Sequence, residues 1–186
     1  RKIFTPDLDI PRENIFLSIG RIQEQKKQLE TIKFLNNFKK VDSNFLCYFI
    51  GGPSGKSGDD YLAELKESVK ELNLETNIKF LGNLPQKEIK DLMNKSKLLI
   101  HTSQYETFGL VAIEANSMGL PILSINTGSL IEIIENNKNG YFAEDFLDID
   151  ANNFVKNLIN NDDYFNMAMI NCIQKSEKYN WETTAN

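Results

Sequence analysis

The stretch Ile15-Phe16-Leu17-Ser18-Ile19-Gly20 sets the pattern of this chain, because it is a short apolar run that ends at a glycine. A pattern with helical periodicity follows over residues 24–40, and a second apolar run follows over residues 45–50. Parallel strands that are buried on both faces have such continuous apolar runs, and a helix usually connects two of them. The first fifty residues therefore predict a βαβ unit of a parallel sheet.

The same alternation continues to the end of the chain. Strands are predicted at residues 78–81, 98–100, 121–124 and 141–142, and helices at residues 60–72, 85–96, 109–119 and 129–135, with helical pattern from residue 150 to near residue 181. The predicted fold class is α/β, a Rossmann-like parallel sheet with helices on both faces. In such a sheet ligands bind at the carboxyl ends of the strands.

The chain is expected to hold one domain and a short leading segment. Residues 15–186 are predicted to form the Rossmann-like domain. Residues 1–14 are predicted to be the remnant of an interdomain linker, because the chain starts without Met at Arg1-Lys2-Ile3-Phe4-Thr5-Pro6. We therefore expect this sequence to be a piece of a longer protein.

The composition narrows the classes of function. Of the 186 residues 41% are hydrophobic and 25% charged, and the net charge of −5 provides no broad basic surface for nucleic acid. Any binding of phosphate must therefore be local. Neither Cys47 nor Cys172 has the spacing of a metal site, so both are expected to be reduced thiols of a cytosolic protein. No apolar run approaches the roughly 18 residues of a membrane span.

Two carboxylates, Glu106 and Glu114, flank a predicted junction between a loop and a helix. At about 1.5 Å per helical residue their Cα atoms lie up to roughly 12 Å apart. That separation exceeds the roughly 5–9.5 Å between the paired carboxyls of a glycoside hydrolase, so they are expected to hold one extended ligand. Between them, residues 108–110 are predicted to open the helix, where free N–H groups and the helix dipole favour an anion. The expected ligand is a nucleotide diphosphate sugar.

Cations follow the first predicted strand. Gly20-Arg21 comes directly after it, and Lys26 lies at the opening of the first predicted helix. A guanidinium and an ammonium in this position can neutralise a diphosphate. The alternative is a pair of solvated surface cations, since Lys27 adjoins them and basic residues are scattered through the chain.

A set of motifs in a fixed order, spread over nearly the whole chain, resembles a known family. The motifs are Gly20-Arg21-Ile22 with Lys26, Phe80-Leu81-Gly82, the pair Glu106 and Glu114 with Phe108-Gly109 between them, Gly119-Leu120-Pro121, Asn139-Gly140 and Trp181-Glu182. In this order they resemble the retaining GT-B glycosyltransferases of family 4. The resemblance implies the C-terminal, nucleotide-sugar-binding half of a GT-B fold.

The resemblance also implies roles for individual residues. The implied catalytic residues are Glu106, which would hold hydroxyls of the transferred sugar, and Arg21 and Lys26, which would bind the diphosphate. The implied substrate-binding residues are these three with Gly20, Leu84 for the nucleobase, main-chain amides of Phe108, Gly109, Leu110 and Val111 for the sugar and distal phosphate, and Glu114 for the ribose diol.

A hexosyltransferase is therefore expected, which transfers the sugar with retention of configuration to a glycan or lipid-linked acceptor. The resemblance places the acceptor site in an N-terminal domain absent from this chain, so the chain alone is expected to be inactive. No cofactor, metal or nucleic acid is expected. The expected location is the cytoplasm, with peripheral attachment to the inner face of the membrane as an option.

Some features depart from the family pattern or allow another interpretation. Gly128-Ser129 stands where the family usually has two glycines, and Lys27 replaces a frequent glycine. Leu110 is interpreted as a core residue of its helix, and Glu114, within the same apolar run, allows a buried ion pair as the structural alternative. A nucleotide-sugar epimerase of GT-B fold and a non-catalytic nucleotide-sugar-binding module remain open as alternative functions.

Three further patterns are given structural interpretations. Residues 51–57 look like a phosphate-binding P-loop but have the wrong spacing, so an exposed turn is predicted there. His101 ends a strand and is interpreted as a hydrogen-bonded residue and not as a base. Asp150 is interpreted as a helix cap.

Overall fold

The computed structural model describes residues 4–103, 109–125, 130–145 and 147–179. Within these ranges the chain alternates between strands and helices. The strands are β1 (Ile15–Ile19), β2 (Leu46–Ile50), β3 (Ile78–Gly82), β4 (Leu98–His101), β5 (Ile122–Ile125) and β6 (Gly140–Ala143). The helices are α1 (Gln28–Phe38), α2 (Gly55–Glu71), α3 (Gln86–Lys95), α4 (Leu110–Ser117), α5 (Ile149–Asn160) and α6 (Asp162–Glu177), with a 3-10 turn at Glu24–Lys26.

The six strands form one sheet in the order β3-β2-β1-β4-β5-β6, and all five neighbouring pairs are parallel. Alternate residues of β1 enter different cores: Phe16 packs in the core that holds residues of α1, α2 and α5, and Leu17 packs in the core that holds residues of α3 and α4. Both faces of the sheet are therefore covered. The predicted α/β fold class is confirmed.

The first predicted helix is shorter than the prediction of residues 24–40. Lys27 adopts the left-handed conformation, with φ of 52°, and separates a 3-10 turn from α1. Side-chain periodicity does not reveal this break, because it reports which residues are buried and not the backbone angle of an exposed lysine. The short linking turn places Lys26 outside α1.

Three other helix predictions need correction. The helix predicted at residues 60–72 begins earlier, at Gly55, so the predicted exposed turn is limited to its first residues. Of the helix predicted at 129–135, the described residues form only a turn, in which the amides of Ile133 and Ile134 bond to the carbonyl of Leu130. The cap of α5 is Asp148 and not Asp150, since the Asp148 carboxylate accepts from the amides of residues 150 and 151.

Residues 4–14 pack against the domain. Phe4 is buried in the core beside α3 and α4, and the amide of Glu13 bonds to the carbonyl of Lys95. The Arg12 guanidinium donates to the carbonyls of Met93, Ser96 and Met118, which lie at the carboxyl ends of α3 and α4. Burial lowers the pKa of Arg12 to about 10, which leaves it charged at neutral pH. An interdomain origin of this segment stays a prediction.

Candidate functional site

The chain reverses its direction of travel across the sheet between β1 and β4. From β1 it moves outward through β2 to β3, and from β4 it moves the other way through β5 to β6. The helices that come next in the chain, α1 after β1 and α4 after β4, pack in different cores on opposite faces of the sheet. We call the space between their starts, at the carboxyl ends of β1 and β4, the crevice. In open α/β sheets ligands bind at such a topological switch point.

The turn after β1 carries the predicted cations at one wall of this crevice. Gly20 bonds through its amide to the carbonyl of Ile50, and the stem of Lys26 passes over it: a Cβ on Gly20 would lie 3.9 Å from Cδ and Cε of Lys26. Arg21 is exposed, and its guanidinium forms no ion pair with any described residue. The turn therefore exposes the Arg21 guanidinium to solvent, and the aliphatic stem of Lys26 lies against the main chain of Gly20.

Side chains from β4 and α1 hold this turn in place. The Thr102 hydroxyl donates to the carbonyl of Lys26 at 2.9 Å, so the 3.3 Å contact between Thr31 Oγ1 and Thr102 Oγ1 has Thr31 as its donor. Gln28 Nε2 donates to the carbonyl of Arg21 at 2.9 Å. These hydrogen bonds hold the main-chain carbonyls of Arg21 and Lys26 and do not involve the side chains of these two residues.

The start of α4 forms the opposite wall. Gly109 is its N-cap, with φ of 58°, and no described side chain caps this end of the helix. A Cβ on Gly109 would lie 2.6 Å from Leu130 Cδ2 and 2.9 Å from Ile133 Cδ1, so the position has no room for a side chain. The first N–H groups of α4 point out of the helix, which makes this end favourable for an anion.

The interpretation of Leu110 as a core residue is wrong. It is the first residue of α4, and its side chain is 54% exposed. Val111 and Ile113 are half-buried and pack against the core beside α3 and α4. The apolar residues of α4 are therefore not all buried in the core. Its first residue, Leu110, is exposed at the end of the helix that borders the crevice.

Glu114 is half-buried on α4, one turn beyond the residues that open the helix. Burial raises the pKa of its carboxyl above the ordinary value of 4.5. No ion pair or hydrogen bond of this carboxylate occurs among the residues that the structure describes, so the alternative of a buried ion pair has no support there. A carboxylate held in this way is prepared to accept hydrogen bonds from a ligand.

The loops after β2 and β3 complete the crevice on the side of β1. Gly51 bonds through its amide to the carbonyl of Gly82, and Asn83 Oδ1 accepts from the amide of Gly52 at 2.7 Å. Leu84 follows the end of β3 by two residues, is half-buried and packs against the core beside α3 and α4. Sequence reasoning did not identify Asn83 or Gln28, because each is an ordinary turn or helix residue until its partner's position is known.

The remaining predicted residues differ in what the structure says of them. Glu106 and Phe108, together with Gly128-Ser129, lie outside the described residues. His101 is buried at the end of β4, and its interpretation as a hydrogen-bonded residue and not a base stays a prediction. The described part of the chain contains no group of three metal-ligating side chains. Its helices are too short or too polar to cross a membrane.

A second group of charges lies at the opposite edge of the sheet, where β6 begins. Glu135 bonds to Lys175 at 2.7 Å and to Lys138 at 3.0 Å, and these lysines lower the pKa of its carboxyl to about 2. Asn139 Oδ1 accepts from the amide of Glu135. The Glu135 carboxylate offsets part of the positive charge of the two lysines. Arg21 in the crevice has no such ion pair with a described residue.

The fold defines the class as a Rossmann-like α/β domain of the GT-B type. Residues 2–176 match the family described as glycosyl transferases group 1. The match covers most of the chain, so the chain belongs to this family.

Individual relatives agree with this assignment. The chain is 27% identical over 179 residues to the D-inositol 3-phosphate glycosyltransferase of Rhodococcus jostii, with 94% of this chain and 39% of that protein covered. It thus spans about two fifths of the length of the curated relatives it matches.

Two solved structures share the fold. A TarM variant from S. aureus, in complex with fondaparinux, α-GlcNAc-glycerol and UDP, superposes with a TM-score of 0.84 at 26% identity, over 97% of this chain and 36% of that one. The C-terminal domain of the group 1 glycosyl transferase LpcC from Francisella tularensis superposes with a TM-score of 0.83 at 24% identity, over 97% of both chains.

Proposed function

We propose that this chain is the nucleotide-sugar-binding half of a hexosyltransferase that transfers its sugar with retention of configuration to a glycan or lipid-linked acceptor. The observation that carries the proposal is the crevice at the switch point. There the Gly20-Arg21 turn with Lys26 faces the uncapped start of α4 across the carboxyl ends of neighbouring strands. The acceptor site would belong to an N-terminal domain outside this chain, so the chain alone would transfer nothing.

The two walls suit the charge that develops when a nucleotide sugar reacts. Breaking the anomeric C–O bond leaves negative charge on the distal phosphate and positive charge on the sugar ring. Arg21 and Lys26 would stabilise the phosphates from one wall. The amides of Leu110 and Val111 would stabilise the distal phosphate from the other, because fixed dipoles at a helix end need no reorganisation.

Carboxylates would orient the rest of the ligand. The Glu114 carboxylate would accept hydrogen bonds from both hydroxyls of the ribose diol, and the Glu106 carboxylate would accept them from hydroxyls of the sugar. The main chain at Leu84 would contact the nucleobase. Two findings support this arrangement: the half-buried Glu114 carboxylate has no partner in the described chain, and a relative with the same fold was solved with UDP. The chemistry of the proposed residues needs no metal.

The test is a calorimetric titration of this chain with UDP, GDP and ADP. We expect saturable binding of one of them, weakened at least about tenfold by Arg21→Ala, since charge-assisted hydrogen bonds contribute roughly 1.5–3 kcal/mol. Lys66→Ala is the matched control, because Lys66 is also an exposed cation but lies outside the crevice. It is on α2, eleven residues beyond the start of that helix at Gly55. No binding of any nucleotide at millimolar concentration, or equal loss in both variants, would contradict the proposal.

A further inference from the structure

A small polar cavity lies beside Lys26 at the carboxyl ends of β1 and β4. Its volume is about 10 Å³, which is room for one water molecule or one hydroxyl group. Ser18, Gln28, His101 and Ser103 contribute to its lining, and all four are buried. A cavity of this size and polarity cannot hold a sugar ring, but it can hold a single O–H group.

Gln28 has a hydrogen-bonding capacity that the described chain does not use. Its side chain is 3% exposed, and its Nε2 donates to the carbonyl of Arg21. Its Oε1 is buried and receives no hydrogen bond from any described residue. Unsatisfied buried oxygens are uncommon in folded proteins because they lose their hydration without replacement. The Oε1 atom can therefore accept a hydrogen bond from a donor that enters the cavity.

We infer that the cavity is a hydroxyl subsite of the nucleotide-sugar site, in which Gln28 Oε1 accepts a hydrogen bond from one O–H group. This inference rests on the proposed function. The O–H group comes either from a water that bridges to the diphosphate or from a hydroxyl of the sugar, since both fit the cavity. Because the same side chain holds the Arg21 carbonyl, Gln28 links occupancy of the subsite to the position of the turn that binds the phosphates.

The test compares Gln28→Met with Asn152→Leu. Methionine has nearly the shape of glutamine but no strong acceptor, so the variant removes the proposed contact without opening a large cavity. Asn152 on α5 is a matched control: it is buried, its Nδ2 donates to the carbonyl of Asp148 at 2.9 Å, and its Oδ1 also has no donor in the described chain. It does not line the cavity.

Calorimetry would measure each variant with the nucleoside diphosphate that the wild-type chain binds and with the hexose conjugate of it that binds most tightly. We expect Gln28→Met to weaken binding roughly 3- to 10-fold, as for the loss of one hydrogen bond, and Asn152→Leu to leave it unchanged. Gln28→Met also removes the bond to the Arg21 carbonyl, so Thr102→Val, which removes the other side-chain bond that holds this turn, gives the weakening expected from a lost anchor alone. Equal weakening of both ligands beyond this reference identifies a bridging water, weakening of the conjugate alone identifies a sugar hydroxyl, and equal weakening no larger than the reference overturns the inference.

The inference is overturned if Gln28→Met binds both ligands as tightly as the wild-type chain, or if Asn152→Leu loses as much affinity. Either result leaves the proposed function intact, because the wild-type chain still binds nucleotide. Failure of the wild-type chain to bind any nucleotide is a different outcome, and it removes the proposed function and this inference together.

Discussion

At the scale of single residues, Glu114 combines a cost in stability with a proposed use in binding. Its raised pKa means that the folded chain disfavours the carboxylate. Well below pH 4.5 the carboxyl is protonated in both the folded and the unfolded state, and burial of the charge costs nothing. As the pH rises, the unfolded state ionises first, so stability is lost through the range between the two pKa values.

Glu114→Gln should therefore unfold at a higher temperature than the wild-type chain at pH 7 and lose this advantage at pH 4. The same variant should bind nucleotide at least about tenfold more weakly, because an amide replaces a charged acceptor. Thermal unfolding at both pH values, with calorimetry at pH 7, would check both expectations. A variant that is less stable at pH 7 than at pH 4, relative to wild type, would show that Glu114 has a stabilising partner instead.

Gly109 is the second residue with a specific structural requirement. Both Gly109 and Gly55 have left-handed φ angles, but only at Gly109 would a Cβ meet other side chains, those of Leu130 and Ile133. Gly109→Ala should lower the free energy of unfolding by about 1–3 kcal/mol more than Gly55→Ala, since the first adds overpacking to the backbone strain that both share. Urea denaturation of the two variants measures this difference directly. Equal losses in the free energy of unfolding would show that the core beside α4 accommodates the added methyl group without further destabilisation.

At the scale of elements, Lys27 determines where α1 begins. Lys27 has a left-handed backbone conformation. Glycine adopts this conformation without strain, whereas a β-branched residue adopts it at the greatest cost in free energy. Lys27→Gly should change the free energy of unfolding by less than about 0.5 kcal/mol, and Lys27→Val should lower it by about 1–2 kcal/mol. Chemical denaturation of both variants is the check. The opposite order would mean that the break before α1 is not imposed by the backbone.

Arg12 ties the segment before β1 to the ends of two helices. Its fork donates to three carbonyls at the carboxyl ends of α3 and α4, where backbone carbonyls lack the regular helical partners. Arg12→Met should lower the free energy of unfolding by about 2–3 kcal/mol, and Arg12→Lys should recover less than half, because an ammonium cannot imitate the planar fork. Full stability of Arg12→Lys in a melting experiment would show that charge alone matters here.

The elements themselves were largely predictable from the sequence, and their boundaries less so. Short apolar runs identified every strand of the described sheet, most clearly where a strand such as β4 is buried along its whole length. The break at Lys27, the early start of α2 and the cap at Asp148 depend on backbone angles and single hydrogen bonds. Burial periodicity contains no information on these features.

At the scale of the whole molecule, the order of the strands was not predictable from the sequence, yet it determines where the site lies. Motifs far apart in the chain, at Arg21 and at Leu110, belong to neighbouring strands only because the sheet order reverses between β1 and β4. The family resemblance anticipated these residues. The supporting contacts of Gln28 and Asn83 required the structure, because each depends on a partner carried by another segment.

The most direct test of the central claim is an amide-resolved NMR titration of this chain with UDP, GDP and ADP in turn. We expect one nucleotide to shift the amides of Gly20, Arg21, Leu84 and Leu110 together, and to leave those of Asn139 and Gln174, which lie beside β6, unchanged. Shifts that cluster around Asn139 and Gln174, with the switch-point amides unmoved, would contradict it.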